Sequence, residues 1–260
     1  MNGAEAAAID AALRAHMLRV YNYMVLGLAV TAIAAVGVHL LSVTDDPAAA
    51  AKVVRSGAEN PARLAGNMYL TPIGYTLFVS PLKWAIILAP LAFAFGLGAG
   101  IERLRPAVAQ ILFWLYAALM GLSLGSVFMI YTQTSVGRVF FITAAAFGAL
   151  SLWGYTTKRD LTGLGSFLVM GLCGTIIASI ANLFLASSAL QWVISVAGVL
   201  VFSGLTAWDA QRLKNEYIYI HGAMDGDIAA RTAIIGALSL YLDFVNMFAL
   251  LMQFFGERED

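Results

Sequence analysis

The chain has 260 residues, 61% hydrophobic and 12% charged, with Lys and Arg balanced by Asp and Glu at a formal net charge of zero. A soluble domain of this size carries about a quarter charged residues, so this composition excludes an ordinary water-soluble fold and places the chain in a bilayer. The absence of net charge also removes any global field that would draw the chain to nucleic acid.

In chain order, residues 1–19 come first. They carry Glu5 and Asp10 without a basic start, and the apolar run that follows is too long for the core of a cleaved signal peptide. Glu5–Arg19 is therefore predicted to be a cytoplasmic amphipathic segment on the membrane surface, with a frayed tail as the alternative. A crossing helix needs about 20 apolar residues. Seven segments qualify: Val20–Leu41, Trp84–Ile101, Ala107–Tyr131, Val139–Tyr155, Leu164–Ala186, Leu190–Trp208 and Thr232–Phe255. The fold class that follows is an all-α integral membrane protein with seven transmembrane helices over residues 20–256 and a short C-terminal tail, 257–260. Pro90 is expected to kink the second span. The last span carries Asp243, and a re-entrant course is its alternative. The long loop Ser42–Lys83 holds four prolines and is predicted to contain a helix-like piece around Ala48–Arg55.

Basic residues set the orientation. Arg14 and Arg19, Arg103 and Arg105, Lys158 and Arg159, and Arg212, Lys214 and Arg231 fall on one side of the alternation. The opposite short loops hold only Arg138. This places the N-terminus in the cytoplasm and the C-terminus outside. Gly121 and Gly125, and Gly171, Gly174 and Ala178, have the spacing that lets helix backbones approach.

Polar groups are costly in hydrocarbon, with a central Asp at about 3 kcal/mol. In span seven, Gly236, Ser239, Asp243, Asn246 and Gln253 fall on one helix face, and the other faces are apolar. Such a helix belongs inside a bundle, so span seven is predicted to be central. Asp209 stands at the end of span six in Leu205-Thr-Ala-Trp-Asp-Ala-Gln-Arg-Leu-Lys214, which has no helix breaker. It is either an interfacial carboxylate paired with Arg212 or Lys214, or hydrated, or the partner of Asp243. Asp243 in turn is either a structural acid bonded to Ser239 and Asn246, or functional. Spacing alone leaves a contact between the two open. Two carboxyls that meet cannot easily both ionise and would share a proton.

Other chemistry finds no support. His16, His39 and His221 are scattered without metal-ligand spacing. Gly96, Gly98 and Gly100 lack the Lys-Thr of a phosphate loop, and no hydrolase motif is present. No span carries a central Lys for a retinal Schiff base. Asn182 reads as a link between helices, and the single cysteine, Cys173, as a small buried residue.

The segments Ala237-Leu-Ser-Leu-Tyr-Leu-Asp-Phe-Val-Asn-Met-Phe248 and Leu205–Lys214 resemble those of the Bax inhibitor-1 family, also called the transmembrane Bax inhibitor motif family. Trp208 stands where Tyr is commoner. Looser similarity covers roughly the last 150 residues and has the texture of bacterial members. The resemblance implies six helices around a central seventh, a bacterial cytoplasmic membrane, and a pH-sensitive calcium leak. It also implies a pair of gating aspartates, matched by Asp209 and Asp243, and an arginine that latches onto the first of them, for which Arg103 and then Arg105 are the nearest matches. Ser239 and Asn246 would support the pair. Ca²⁺ would bind weakly at Asp209 and Asp243, since two carboxylates fall short of six oxygen ligands. No cofactor is implied.

Two other readings compete with a leak. One is a non-conducting scaffold for other membrane proteins. The other is an intramembrane aspartyl protease, whose paired aspartates Trp208-Asp209 imitates but whose glycines are missing before Asp243.

Overall fold

The computed structural model describes residues 3–55, 58–65, 68–100, 104–220 and 226–258. Its helices are α1 (Gly3–Ser42), α2 (Pro72–Phe78), α3 (Leu82–Gly100), α4 (Pro106–Leu124), α5 (Val127–Ile130), α6 (Gln133–Thr156), α7 (Thr162–Leu185), α8 (Ser188–Ile220) and α9 (Gly226–Phe255). Five short strands lie between α1 and α2: β1 (Val43–Thr44), β2 (Lys52–Arg55), β3 (Ala58–Pro61), β4 (Arg63–Ala65) and β5 (Met68–Leu70). Six described stretches are long and apolar enough to cross a membrane: α1, α4 with α5, α6, α7, α8 and α9. A seventh exists if α2 and the start of α3, bent by 59° at a short break, count as one span. The bend falls between Phe78 and Leu82, and Pro90 lies inside α3.

The chain forms two compact units, one of residues 1–25 and 137–256, the other of residues 26–136 and 257–260. In the first, α8 packs against both α7 and α9. Phe140 and Phe147 of α6 each meet Phe244 of α9 edge-on at 5.5 Å. Gly154 of α6 faces the backbone of Ala207 on α8 so closely that any side chain there would strike the carbonyl. Gly165 of α7 makes the equivalent room for the Trp208 ring. These two glycines set the distances between α8 and its neighbours.

Burial is uneven in a way that follows from the sequence pattern. In the most apolar stretch of α9, 67% of residues are buried, against 11% in α7. A helix that is apolar all round apart from one polar stripe can hide both only among other helices. By contrast, α7 turns Phe167, Met170, Ile177, Leu183 and Phe184 outward. Cys173 shares that outer face and is exposed, not buried as its apolar setting suggested, because nothing in the described chain covers this side of α7.

Three boundaries differ from expectation. The Glu5–Arg19 segment is continuous with the first span in one 40-residue helix, because no Gly or Pro interrupts it between Gly3 and Gly27. α8 does not end at Trp208 but continues to Ile220, so Arg212 and Lys214 lie on a helix and not in a loop. Leu213 and Tyr217 recur as buried apolar positions one turn apart and carry the helix past the apolar run. α9 likewise starts early, at Gly226.

In the second unit, Gly121 packs on Thr31 and Ala34, and Gly125 on Val38, as the small-residue spacing suggested. The Thr31 hydroxyl donates to the Ala117 carbonyl at 2.9 Å. The expected helix around Ala48–Arg55 is absent. β2 and β3 form an antiparallel hairpin there, with Val53 opposite Asn60, and β1, β5 and β4 form a second sheet in that order. Ala51, Ala62, Leu70 and Met129 make a small core beneath. The Ala48–Ala51 run favours helix only as an isolated propensity. Val53 and Val54 are β-branched, and the Ala51 N–H bonds to Leu70 across the unit at 2.7 Å, so tertiary pairing decides.

Candidate functional site

α8 and α9 run antiparallel, and side-chain contacts fix their register from end to end. Gly236 lies against Leu213. Arg212 Nη2 donates to Ser239 Oγ at 3.2 Å. Farther along, the Ser203 hydroxyl meets Met247 Sδ at 3.8 Å, and Gly198 lies against Leu250. At the far end, Ser195 Oγ and Gln191 Nε2 both donate to Gln253 Oε1, at 2.6 and 2.7 Å. The polar stripe of α9 is therefore read by α8 along its length, except at Asn246. That side chain turns back to the Leu242 carbonyl of its own helix, at 2.8 Å.

Near the Leu213 end of this register sit Asp209 and Asp243, 6% and 5% exposed. Their carboxyl groups face one another across the two helices, close enough to interact. A bond between two carboxyl groups needs a proton on one of them, since an ionised carboxylate only accepts. Asp209 also has a cation: its Oδ1 lies 2.9 Å from Arg212 Nη2, an ion-pair distance without an aligned hydrogen bond. Asp243 Oδ2 is buried without a hydrogen-bond partner among the described residues. Arg212 is thus a hub. It touches Asp209 one turn back on its own helix, crosses to Ser239 on α9, and lays its guanidinium over the Trp208 ring at 4.9 Å. With 41% of its side chain exposed, it joins a buried acid pair to an accessible surface.

The same end of α8 is pinned to the α6–α7 turn. Gln211 Nε2 donates to the Arg159 carbonyl at 2.7 Å, and its Oε1 accepts the Leu161 N–H at 2.8 Å. Lys214 Nζ donates to the Tyr155 carbonyl at 2.9 Å, at the C-terminal turn of α6. Asn182 bonds to Gln191 on α8 and accepts the Ser187 N–H, so it ties α7 to α8 and closes the end of α7.

Of the residues singled out in the sequence, the fold brings together Asp209, Asp243, Arg212 and Ser239. Arg103 lies outside the described residues, and Arg105 is exposed at the N-cap of α4. An Asp209–Arg212 pair is legible from their three-residue spacing, but the reach of Arg212 to Ser239 is not, because it depends on the helix register. Nor did spacing expose the clamp made by Gln211. Among the described residues, no three His, Cys, Asp or Glu side chains gather where a metal could be held. Ca²⁺ takes six to eight oxygen ligands. Two carboxyls and a serine offer fewer.

A family model described as "Inhibitor of apoptosis-promoting Bax1" matches residues 13–260. The chain belongs to the Bax inhibitor-1 family. Bacterial relatives of this Bax inhibitor-1 protein match it along most of its length. RP147 of Rickettsia prowazekii (strain Madrid E) is 42% identical over 96% of this chain and 93% of its own. A Caulobacter vibrioides protein is 45% identical over 97% of this chain and 92% of its own. The inner membrane protein YbhL of Escherichia coli (strain K12) is 48% identical over 65% of this chain and 71% of its own. This Bax inhibitor-1 family chain is thus a multi-pass membrane protein, and none of these names denotes an enzyme.

Proposed function

We propose that this protein is a proton-regulated cation leak channel of a bacterial inner membrane, with Ca²⁺ as the permeating ion and Asp209 and Asp243 as its gate. The observation that carries the reading is the juxtaposition of two buried carboxyls on adjacent membrane helices. A hydrogen bond between them can form only while a proton lies between the two groups. Without the proton, two buried carboxylates in contact repel one another. Arg212 offsets the charge of Asp209 but reaches it from a half-exposed position. α8 and α9 then have two arrangements, one with the pair closed on its proton and one with the acids apart, and pH sets their balance. In the open arrangement the acids, with backbone carbonyls, give a hard cation a weak oxygen-lined stop, which suits conduction better than storage. Arg103 and Arg105 are retained in this proposal as cations of a second gating state.

The basic end of the first unit is taken as its cytoplasmic end. It gathers Arg14, Lys158, Arg159, Arg212 and Lys214, while Arg138 stands apart at the start of α6. That puts the N-terminus in the cytoplasm. α9, the helix whose apolar stretch is most buried, is taken as the central one, a choice that its burial supports. The test is calcium flux into proteoliposomes of purified protein across a pH series. Flux that responds to pH in the wild type and not in Asp243→Asn supports the channel. Absence of flux from folded protein at every pH would leave the scaffold reading standing.

A further inference from the structure

We propose that the cavity at the basic end of α8 binds the phosphate group of an anionic phospholipid, and that the bound phosphate competes with Asp209 for Arg212. The cavity has a volume of about 840 Å³ and opens to the surface. Its wall is the α6–α7 turn on one side and the last turns of α8 on the other. Lys158, Arg159, Arg212 and Lys214 all line it, together with Trp208 and Tyr219. An inside-positive bias accounts for the sign of these charges. It does not account for their convergence from two separate elements around one space.

Three features make this a built site. First, the turn that carries Lys158 and Arg159 is held on α8 by both ends of the Gln211 amide. Their side chains are exposed, and neither has an acidic partner among the described residues. Second, the acids on the rim are few. Asp160 accepts the N–H and the hydroxyl of Thr162, at 2.9 and 2.6 Å, which hold its carboxyl below the usual carboxylate range and occupy one of its oxygens. Glu216 is the other acid in the lining. Third, the level is right for a headgroup. α8 has 33 residues, about 50 Å at 1.5 Å each, against roughly 30 Å of hydrocarbon, so it must protrude. The α6–α7 turn joins two spans and so lies at a membrane surface. Trp208 and Tyr219 are the residue types that sit at headgroup depth. Basic pockets between helices at this level suit phosphate headgroups.

The consequence follows from the position of Arg212. Its guanidinium serves Asp209 and Ser239 on one side and the cavity on the other. A phosphate offers it a bidentate partner and would draw it from Asp209, leaving the acid pair without its cation. This second step rests on the gating role proposed above, whereas binding itself does not.

Native mass spectrometry of the purified full chain tests the site, with phosphatidylglycerol, phosphatidylcholine and inorganic phosphate as probes. Phosphatidylglycerol should be retained over phosphatidylcholine. The preference should fall about tenfold to thirtyfold in Lys158→Ala/Arg159→Ala, since each surface cation contributes a few-fold to tenfold, and return in Lys158→Arg/Arg159→Lys. Displacement of the lipid by millimolar inorganic phosphate would assign the site to the free ion; its failure would assign it to the lipid. Equal retention of the two lipids, or an unchanged preference in the double alanine variant, would overturn the proposal. Flux in phosphatidylcholine vesicles with and without phosphatidylglycerol tests the coupling. Selective binding with no flux anywhere would refute the channel and leave the site intact. Flux whose pH response ignores phosphatidylglycerol would refute the competition for Arg212.

Discussion

Replacing Arg212 should expose how much the acid pair depends on it. Arg212→Gln removes the cation 2.9 Å from Asp209 and the cation over Trp208, while the new amide can still reach toward Ser239. A fully exposed ion pair contributes at most about 1 kcal/mol. Stranding a buried charge by removing its partner costs about 3–5 kcal/mol. Asp209 is buried, but Arg212 is 41% exposed, which places the expected loss between these limits, at about 1–3 kcal/mol. Most of that loss should vanish when Asp209 is already Asn, because the amide needs no counter-charge. The double-mutant cycle of Arg212→Gln with Asp209→Asn should therefore show a coupling of about 1–2 kcal/mol. Reversible unfolding in mixed micelles at neutral pH would measure it. Additivity within about 0.3–0.5 kcal/mol would refute the reasoning, since it would mean that Arg212 stabilises the fold without regard to the charge of Asp209.

Other outcomes follow from single contacts. Gly154→Leu should prevent α6 from seating on Ala207 and abolish folding, while Gly148→Leu, where nothing lies near the added atom, should fold normally in a thermal unfolding assay. Replacing the β2–β3 hairpin, Lys52–Pro61, with a short Gly-Ser turn should lower thermal stability but leave flux near normal, and total loss of flux in a folded variant would place part of the gate there. Asp160, held below the usual carboxylate range by Thr162, should stabilise the α6–α7 turn at neutral pH and lose that contribution as pH falls through its lowered value. Thermal midpoints of the wild type and Asp160→Ala should accordingly differ above the carboxylate range and converge in strong acid. Arg103→Ala and Arg105→Ala should change flux less than Arg212→Gln, and the reverse order would assign the main gating cation to the α3–α4 connection.

Long apolar runs made the spans legible, because 20 apolar residues have few other destinations. The one-faced spacing of Ser239, Asp243 and Gln253 likewise announced a buried helix. The pairing of Asp209 with Asp243 was not fixed by spacing. It depends on how far α8 continues past Trp208, and that extension is carried by Leu213 and Tyr217, two apolar positions in an otherwise polar stretch. The β-strands after Ser42 were illegible for a related reason. Strands of two to four residues leave no periodic signature, and their order depends on pairing partners many residues away. Cys173 shows the limit of composition in a membrane chain, where an apolar neighbourhood says nothing about which face meets protein and which meets lipid.

The central claim is that one proton shared by Asp209 and Asp243 governs ion flow. Calcium flux into proteoliposomes should be recorded from low to high pH for the wild type, Asp209→Asn, Asp243→Asn and the double variant. A pH-dependent flux is expected in the wild type, a flattened response in each single variant, and little further change in the double. A wild-type pH response preserved in either single variant, or two effects that simply add, would contradict it.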